Sequence, residues 1–572
     1  MIESIKKIFF ILNKKERISV TLLMIIGFFS SLIEMIGIVM ILPIFDILFG
    51  ENLENYLNFL NPYFNFLEFF NEKNLKIFIL IFIFIIFLLK NILLTIVNYF
   101  TTKIFFSIQI RIANDLFFNY INSDYSFFLT TKSENILRKV QNDTDVIRTF
   151  LISTQILYTE LIFIIFLFVF LFFVNKGITI FIILIFFLLF SLYSLIFKKK
   201  ILQLGELFQD SLGAFQNTIL NGILGIKDII VYNIEKFFYR EFSVYNKRVI
   251  FSQFKISFLT SLPRFLMEMI VVSSLIIPII FLIFLDFEIK KLFPIFSLFT
   301  ISLLRTIPSV NKILSSYNNI KFGTVFLNTY VDDLKILEKI HLKNQDIDSK
   351  NYNFNHSIEF KNVQYRYKES EDLILKDINF IIKKNQSVLI AGSNGSGKST
   401  LLNLISGMLQ NQSGQILVDG ESVILNKKWT KQISYVQQNI FLINQSTMKD
   451  NIICRSYDLD YADENKIKNI TESLNFKNIF KNFPNILNTT INKNGYELSG
   501  GQKQILSVAR ALYKDSNIII FDEANSALDE VTKKHLKDML SMLKGKKTII
   551  FVTHDVDYFK DCFDLIYQIT EK

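Results

Sequence analysis

Apolar positions in the first 320 residues recur at neither helical nor strand spacing; they run almost unbroken. Six segments qualify as membrane spans, at about 20–49, 75–98, 154–175, 178–197, 264–285 and 292–312. Each is long enough to cross a hydrocarbon layer of about 30 Å as a helix. The third and fourth are joined only by a turn at Lys176 and Gly177, the fifth and sixth by 286–291. Residues 99–153 and 198–263 are long connections that carry charged, amphipathic stretches and few loop residues. They predict helices projecting into the cytosol and turning near 126–141 and 220–232, where they can meet a second domain. Beyond residue 350 the pattern changes. Short apolar runs such as Ser387–Ala391, Ile518–Asp522 and Thr548–Val552 alternate with helical patterns, which predicts a parallel sheet. The reading is an all-α six-helix membrane domain over 1–325, a linker over 326–355 and an α/β domain over 356–572. The polar run Asn344, Gln345, Asp346, Asp348, Ser349, Lys350 and Asn351 marks the linker.

Composition agrees with a membrane chain: hydrophobic residues make up 51% and the mean hydropathy is +0.35. The net charge of +10 sits beside apolar segments, as in Lys14, Lys15, Arg17 and Lys198, Lys199, Lys200. That placement marks cytoplasmic loops and places both termini inside. It is not the clustered basic face of a nucleic-acid reader, so no nucleic-acid partner is expected. The two cysteines, Cys454 and Cys562, form neither a disulfide framework nor a metal-ligand spacing, and suit a reducing compartment. Residues 1–12 read as a short amphipathic helix on the inner membrane surface, with no cleavable signal expected.

The α/β part carries Gly392, Ser393, Asn394, Gly395, Ser396, Gly397, Lys398 and Ser399, followed by Thr400. This matches the phosphate-binding pattern G-x-x-x-x-G-K-S between a strand and a helix. Glycines let backbone N–H groups wrap phosphates, Lys398 neutralises them, and Ser399 offers a hydroxyl to Mg²⁺. A second apolar strand ends in Asp522 and Glu523; Asp522 suits the metal, and Glu523 suits a base that orients the attacking water. ATP and Mg²⁺ are the cofactors these residues imply. Between the two lies Leu498, Ser499, Gly500, Gly501 and Gln502, a turn opening a helix that can cradle an anion.

With that pentapeptide the chain resembles the ABC ATPase family. The resemblance implies that the signature segment closes over the γ-phosphate bound by a facing subunit, and hence a homodimer. It implies further that Tyr367 stacks on adenine, that Gln438 senses the metal and the membrane domain, and that His554 contacts the γ-phosphate. Ser526, Ala527, Leu528 and Asp529 follow the carboxylates as in the family. Gln437 replaces a frequent proline, Asn525 a threonine and Ile505 an arginine. Asp555 stands where arginine is common, and Asn492 and Lys493 replace a glycine–acid pair. None of these removes a phosphate, metal or water ligand, so Glu523, His554, Gln438 and Lys398 are expected to be catalytic.

Six spans before one such domain resemble an exporter half-transporter, and within that branch the PglK-like flippases of lipid-linked oligosaccharides. The likeness lies in Ile33, Glu34, Leu42 and Pro43, in Pro263, Arg264 and Glu268, and in Arg305, Pro308, Ser309, Asn311, Ile313, Ser316 and Tyr317. The stretch 56–70 is similar to their short external helix. Lys90 and Arg305 sit roughly 22 and 20 Å below the outer edge at 1.5 Å per residue, and Arg264 opens the fifth span from inside. All three thus fall in the inner half of the membrane, where the resemblance implies contact with a lipid pyrophosphate. Lys90 stands where arginine is expected and lacks its bidentate fork. Glu34 is expected to satisfy a local partner, and Arg264 can pair with Glu268 one turn on. The expected activity is ATP-driven flipping of an undecaprenyl-pyrophosphate glycan across a bacterial inner membrane. The alternatives are a lipid or multidrug exporter of the same architecture, and an ATP-gated channel or regulator, which an intact Glu523 disfavours.

Overall fold

The computed structural model describes residues 2–40, 72–284, 289–347, 354–367, 372–422, 427–454, 463–483, 485–491 and 497–569. The end of the first span (41–49), the external stretch 56–70, the loop at 285–288 and positions Asn492 and Lys493 lie outside them, as does the side chain of Arg264. The chain forms two compact units, residues 1–123 with 131–337, and residues 124–130 with 338–572.

The first unit is helical throughout. After α1 (Ile2–Ile11), α2 (Lys14–Val39) starts at a capping box in which Asn13 and Glu16 exchange side chain-to-backbone hydrogen bonds. Glu16 also binds Arg111 of α3 (Glu72–Ile121), which fixes the start of one helix on the C-terminal part of another. The predicted cytosolic extensions are continuous with the spans: α3 has 50 residues, and three further helices are of similar or greater length. These are α7 (Lys176–Leu224), α9 (Glu235–Phe284) and α10 (Ile289–Ile347). At 1.5 Å per residue a 50-residue helix is about 75 Å long, more than twice a bilayer core. The hairpin turns are the short helices α4 (Tyr125–Thr130), which begins one residue before the first predicted window, and α8 (Ile226–Val231), inside the second. The turn before α7 follows α6 (Thr144–Val174), which stops at Asn175 in an extended conformation. Among the described residues, three helices are long and apolar enough to cross a membrane, within Lys14–Val39, Lys76–Ile121 and Ser133–Val174.

Without a hydrophobic force between helices in lipid, close approach and interhelical hydrogen bonds must hold them. Gly27 meets α6 so closely that a Cβ there would lie 2.6 Å from Thr159 Cγ2. Beside it Gln155 Nε2 donates to Leu23 O at 2.9 Å, and Ser31 Oγ donates to Thr159 O at 2.9 Å. Beyond the spans the order changes to a buried polar network around a π-helical turn, Lys139–Asp143, which follows α5 (Ser133–Arg138). Arg138 Nη1 donates to Gln209 O at 2.9 Å, Gln209 Nε2 to Thr329 Oγ1 at 3.1 Å, and Arg138 Nη2 lies 3.5 Å from Asp143. Lys139 pairs with Asp333 at 2.6 Å.

The expected linker from 326 is helix through Ile347. Phe326, Leu327, Tyr330, Val331 and Leu337 are buried along one face, a stripe that holds α10 helical until its polar end. The two compact units divide between Leu337 and Glu338.

In the second unit a five-stranded parallel sheet runs in the order β6-β7-β8-β3-β9, and a four-stranded antiparallel sheet in the order β2-β1-β4-β5. The parallel strands are β3 (Ser387–Ala391), β6 (Ile433–Val436), β7 (Ile518–Asp522), β8 (Thr548–Val552) and β9 (Leu565–Gln568). β7 and β8 are buried on both faces, which is why they read as unbroken apolar runs. The antiparallel strands are β1 (Ser357–Tyr365), β2 (Leu375–Lys383), β4 (Ser413–Val418) and β5 (Glu421–Ser422).

Candidate functional site

Neighbouring strands β6, β7, β8 and β3 end on one edge of the sheet, and each hands the chain to a predicted site residue. Gln438 follows β6, Glu523 follows β7, His554 follows β8 and Gly392 follows β3. This is where an open α/β sheet places ligands.

The loop after β3 is shaped by its glycines. Gly395 and Gly397 have φ of +85° and +91°, and a Cβ on Gly397 would lie 2.8 Å from Leu375 Cδ2. Helix α11 (Lys398–Ile405) begins directly after. Lys398 is buried and its ammonium donates to the carbonyls of Gly392 (2.8 Å) and Ser393 (2.7 Å). Ser396 Oγ is buried without a hydrogen-bond partner. A glycine-rich loop at a helix start, a folded-back ammonium and an orphan hydroxyl fit a polyphosphate. Tyr367, predicted to carry the base, lies with its hydroxyl 3.2 Å from Thr400 Oγ1 and its ring edge-on to Tyr365.

Asp522 closes β7. Burial pushes its carboxyl above the usual range, as does Glu523 beside it; hydrogen bonds from Tyr435 and Ser399 and the charge of Lys398 oppose this without cancelling it. Hydroxyl, carboxylate and amide oxygens from Ser399, Asp522 and Gln438 are hard donors suited to Mg²⁺, which completes its shell from phosphate and water.

Glu523 has a left-handed backbone, φ +50°, a conformation that costs a non-glycine residue free energy. Its N–H donates to Val552 O at 3.0 Å and its carbonyl accepts from Gln504 Nε2 at 3.2 Å, so both neighbouring elements hold it there. Its carboxylate accepts from Gln438 Nε2 at 2.6 Å through Oε2, and lies 2.9 Å from His554 Nε2 through Oε1. Three residues predicted from separate motifs thus meet on one carboxylate. Gln438 spends its amide N–H on Glu523 and keeps its amide oxygen for a cation.

Ser499 caps the helix Gly500–Lys514, accepting from Gln502 N while Gln502 Oε1 accepts from Ser499 N. Gln502 Nε2 reaches Ile479 O at 2.9 Å. A Cβ on Gly500 would lie 3.2 Å from Ala527 Cβ, and one on Gly501 3.2 Å from Ala527 O, so glycine lets this turn rest on the segment after β7. Two of the departures from the family pattern explain each other: Asn525 Nδ2 donates to Asp555 Oδ2 at 2.7 Å.

Of the three membrane cations, two are described with their side chains, and they approach adjacent turns of α2. Arg305 forms an ion pair with Glu34 and stacks over Phe163 at 4.9 Å. Lys90 lies over Phe87 at 4.4 Å, and its Nζ would be 2.7 Å from a Cβ on Gly37. Residues not anticipated from the sequence also enter. Lys312 pairs with buried Glu160 at 2.5 Å; it follows Arg305 by seven positions, and so shares its helix face, the one signal that marks it. Tyr435 braces the Asp522 carboxylate and Gln504 the backbone carbonyl of Glu523, and nothing in their local pattern singles them out.

The family described as ABC transporter transmembrane region matches residues 20–305, and that described as ABC transporter matches 375–526. The chain is 27% identical over 498 residues to an uncharacterized ABC transporter ATP-binding protein of Bacillus subtilis (strain 168), covering 85% of this chain and 84% of that protein. It is 37% identical over 196 residues to the ATP-dependent lipid A-core flippase of Pseudomonas aeruginosa, spanning 34% of this chain and about a third (32%) of the flippase. The fold is similar to that of a bacterial Atm1-family ABC exporter with ATP bound, with TM-score 0.76 and 17% identity over 97% of this chain and 93% of that one.

Proposed function

The chain belongs to the ABC transporters, and from that membership we propose that it flips an undecaprenyl-pyrophosphate-linked oligosaccharide across the bacterial inner membrane, as a homodimer with its ATPase domain in the cytoplasm. It is an ATP-hydrolysing exporter with a helical membrane domain and an α/β ATPase domain. The substrate reading is carried by Lys90 and Arg305, drawn from different helices to consecutive turns of α2. Two cations held at one depth favour a headgroup with more than one negative charge.

In the ATPase domain the loop 392–399 holds the phosphates, and Tyr367 takes the base. Bound Mg²⁺ supplies charge stabilisation at the γ-phosphate. Glu523, fixed by Gln438 and His554, orients a water and takes its proton. Ser499, Gly500 and Gly501 of a second copy offer N–H groups to the same phosphate. The dimer reading is further supported by the second hairpin, where Leu224, Val231 and Tyr232 are 82%, 71% and 70% exposed. An apolar tip of this kind marks an interaction surface.

The test is flipping of a fluorescent undecaprenyl-pyrophosphate glycan in vesicles reconstituted with the protein. The Lys90→Ala, Arg264→Ala, Arg305→Ala triple variant is expected to lose flipping while keeping basal ATP hydrolysis; efficient flipping by it would discard the pyrophosphate reading. A second reading, a lipid exporter indifferent to pyrophosphate, is favoured by the Glu34 carboxylate that already neutralises Arg305. Glu34→Gln separates the two. It should lower the KM for a pyrophosphate lipid under the first reading, and leave headgroup preference unchanged under the second.

A further inference from the structure

Tyr435 is the third residue of β6, paired in register with Ile520 of β7. Its neighbours Ile433, Ser434 and Val436 are buried, yet its phenol lies at the carboxyl end of the sheet and donates to Asp522 Oδ2 at 3.0 Å. Asp522 is thus held between two hydroxyls, Tyr435 and Ser399. The same tyrosine lines a cleft of about 510 Å³ together with Met408, Ile452, Cys454 and Arg510.

We propose that Tyr435 is a positioning residue that sets the rotamer of the metal-binding carboxylate Asp522. This rests on the reading of Asp522 as a Mg²⁺ ligand. The physical argument is one of preorganisation. A carboxylate with two free torsions binds a cation more tightly once one oxygen is committed to a fixed donor and the other is left aimed. A ring whose one end is on that oxygen and whose side forms a cleft wall moves both together. This connection is separate from the one through Gln438, which acts on Glu523.

The experiment measures binding of a fluorescent ATP analogue to the full-length protein, first with EDTA and then across a Mg²⁺ titration. Tyr435→Phe keeps the ring and loses the hydroxyl. It is expected to leave Mg²⁺-free binding within about twofold and to raise the half-saturating Mg²⁺ concentration by about tenfold, the effect of a lost hydrogen bond to a charged group. An unchanged Mg²⁺ titration in Tyr435→Phe, with Asp522→Asn strongly shifted, overturns the proposal alone. If Asp522→Asn is also unshifted, the metal reading of Asp522 is what fails.

Discussion

Replacing Glu523 by glutamine separates the chemistry of the ATPase site from its architecture. The carboxylate has two partners, Gln438 Nε2 at 2.6 Å and His554 Nε2 at 2.9 Å. An amide of the same shape keeps one acceptor oxygen and turns the other into a donor. Gln438 can rotate its own amide to present oxygen, and the imidazole can present an unprotonated Nε2, so either mismatch relaxes without a buried orphan. The backbone bonds to Val552 O and from Gln504 Nε2 do not involve the side chain. Stability should therefore change by less than about 1 kcal/mol, the worth of one net hydrogen bond. Catalysis should change far more. A positioned general base contributes about 10²- to 10⁴-fold, or roughly 3–5 kcal/mol of barrier at 1.36 kcal/mol per decade. The assay is phosphate release by the purified protein, with thermal melting and fluorescent ATP binding on the same preparation. Hydrolysis above a tenth of the wild-type rate, with nucleotide binding and melting unchanged, would refute Glu523 as the base.

Three further outcomes follow from the packing. Arg138→Ala strands Asp143 in its buried polar network and should cost about 3–5 kcal/mol, seen as a lower melting temperature in detergent; a shift too small to measure would show that the network tolerates the loss. Gly27→Val forces a side chain into space where a Cβ alone already meets Thr159 at 2.6 Å; overpacking of about 1–3 kcal/mol is expected, read by the same melt. The Lys533 ammonium, helped by Asn525, holds the Asp555 carboxyl below its usual value. Its stabilising contribution is therefore present above the unfolded pKa near 3.9 and lost as pH falls through the lower folded value. Asp555→Asn should lower stability at neutral pH, converge on the wild type at the lowest pH, and so flatten the acid limb below about pH 4; an unchanged limb would assign it to other carboxylates.

Much of this protein was legible because it is written in local runs. A span of twenty apolar residues has one viable conformation in lipid, and a glycine-rich loop ahead of Lys398 has one common use. The reading fell short where polarity misled it. Polar positions at 344–351 suggested a linker from 326, whereas the buried stripe from Phe326 to Leu337 keeps α10 helical to Ile347. Asn525 and Asp555 each read as an isolated departure, because nothing in a linear pattern says that a strand end and the loop of its neighbour will place them 2.7 Å apart.

Taken alone, the order of residues settled where the long helices and the parallel strands lie, which loop is glycine-rich, and which strand ends in acids. Each of those follows from periodicity or from spacing within a few turns of chain. The folded molecule decided the pairings: Glu34 with Arg305, Lys312 with Glu160, Tyr435 with Asp522, and Gln438 and His554 on the two oxygens of Glu523. These join residues from separate elements, and a hydrogen bond or ion pair forms only within a few ångströms. Distance on that scale is set by how strands order in a sheet and how closely helices approach, which the chain acquires only by folding.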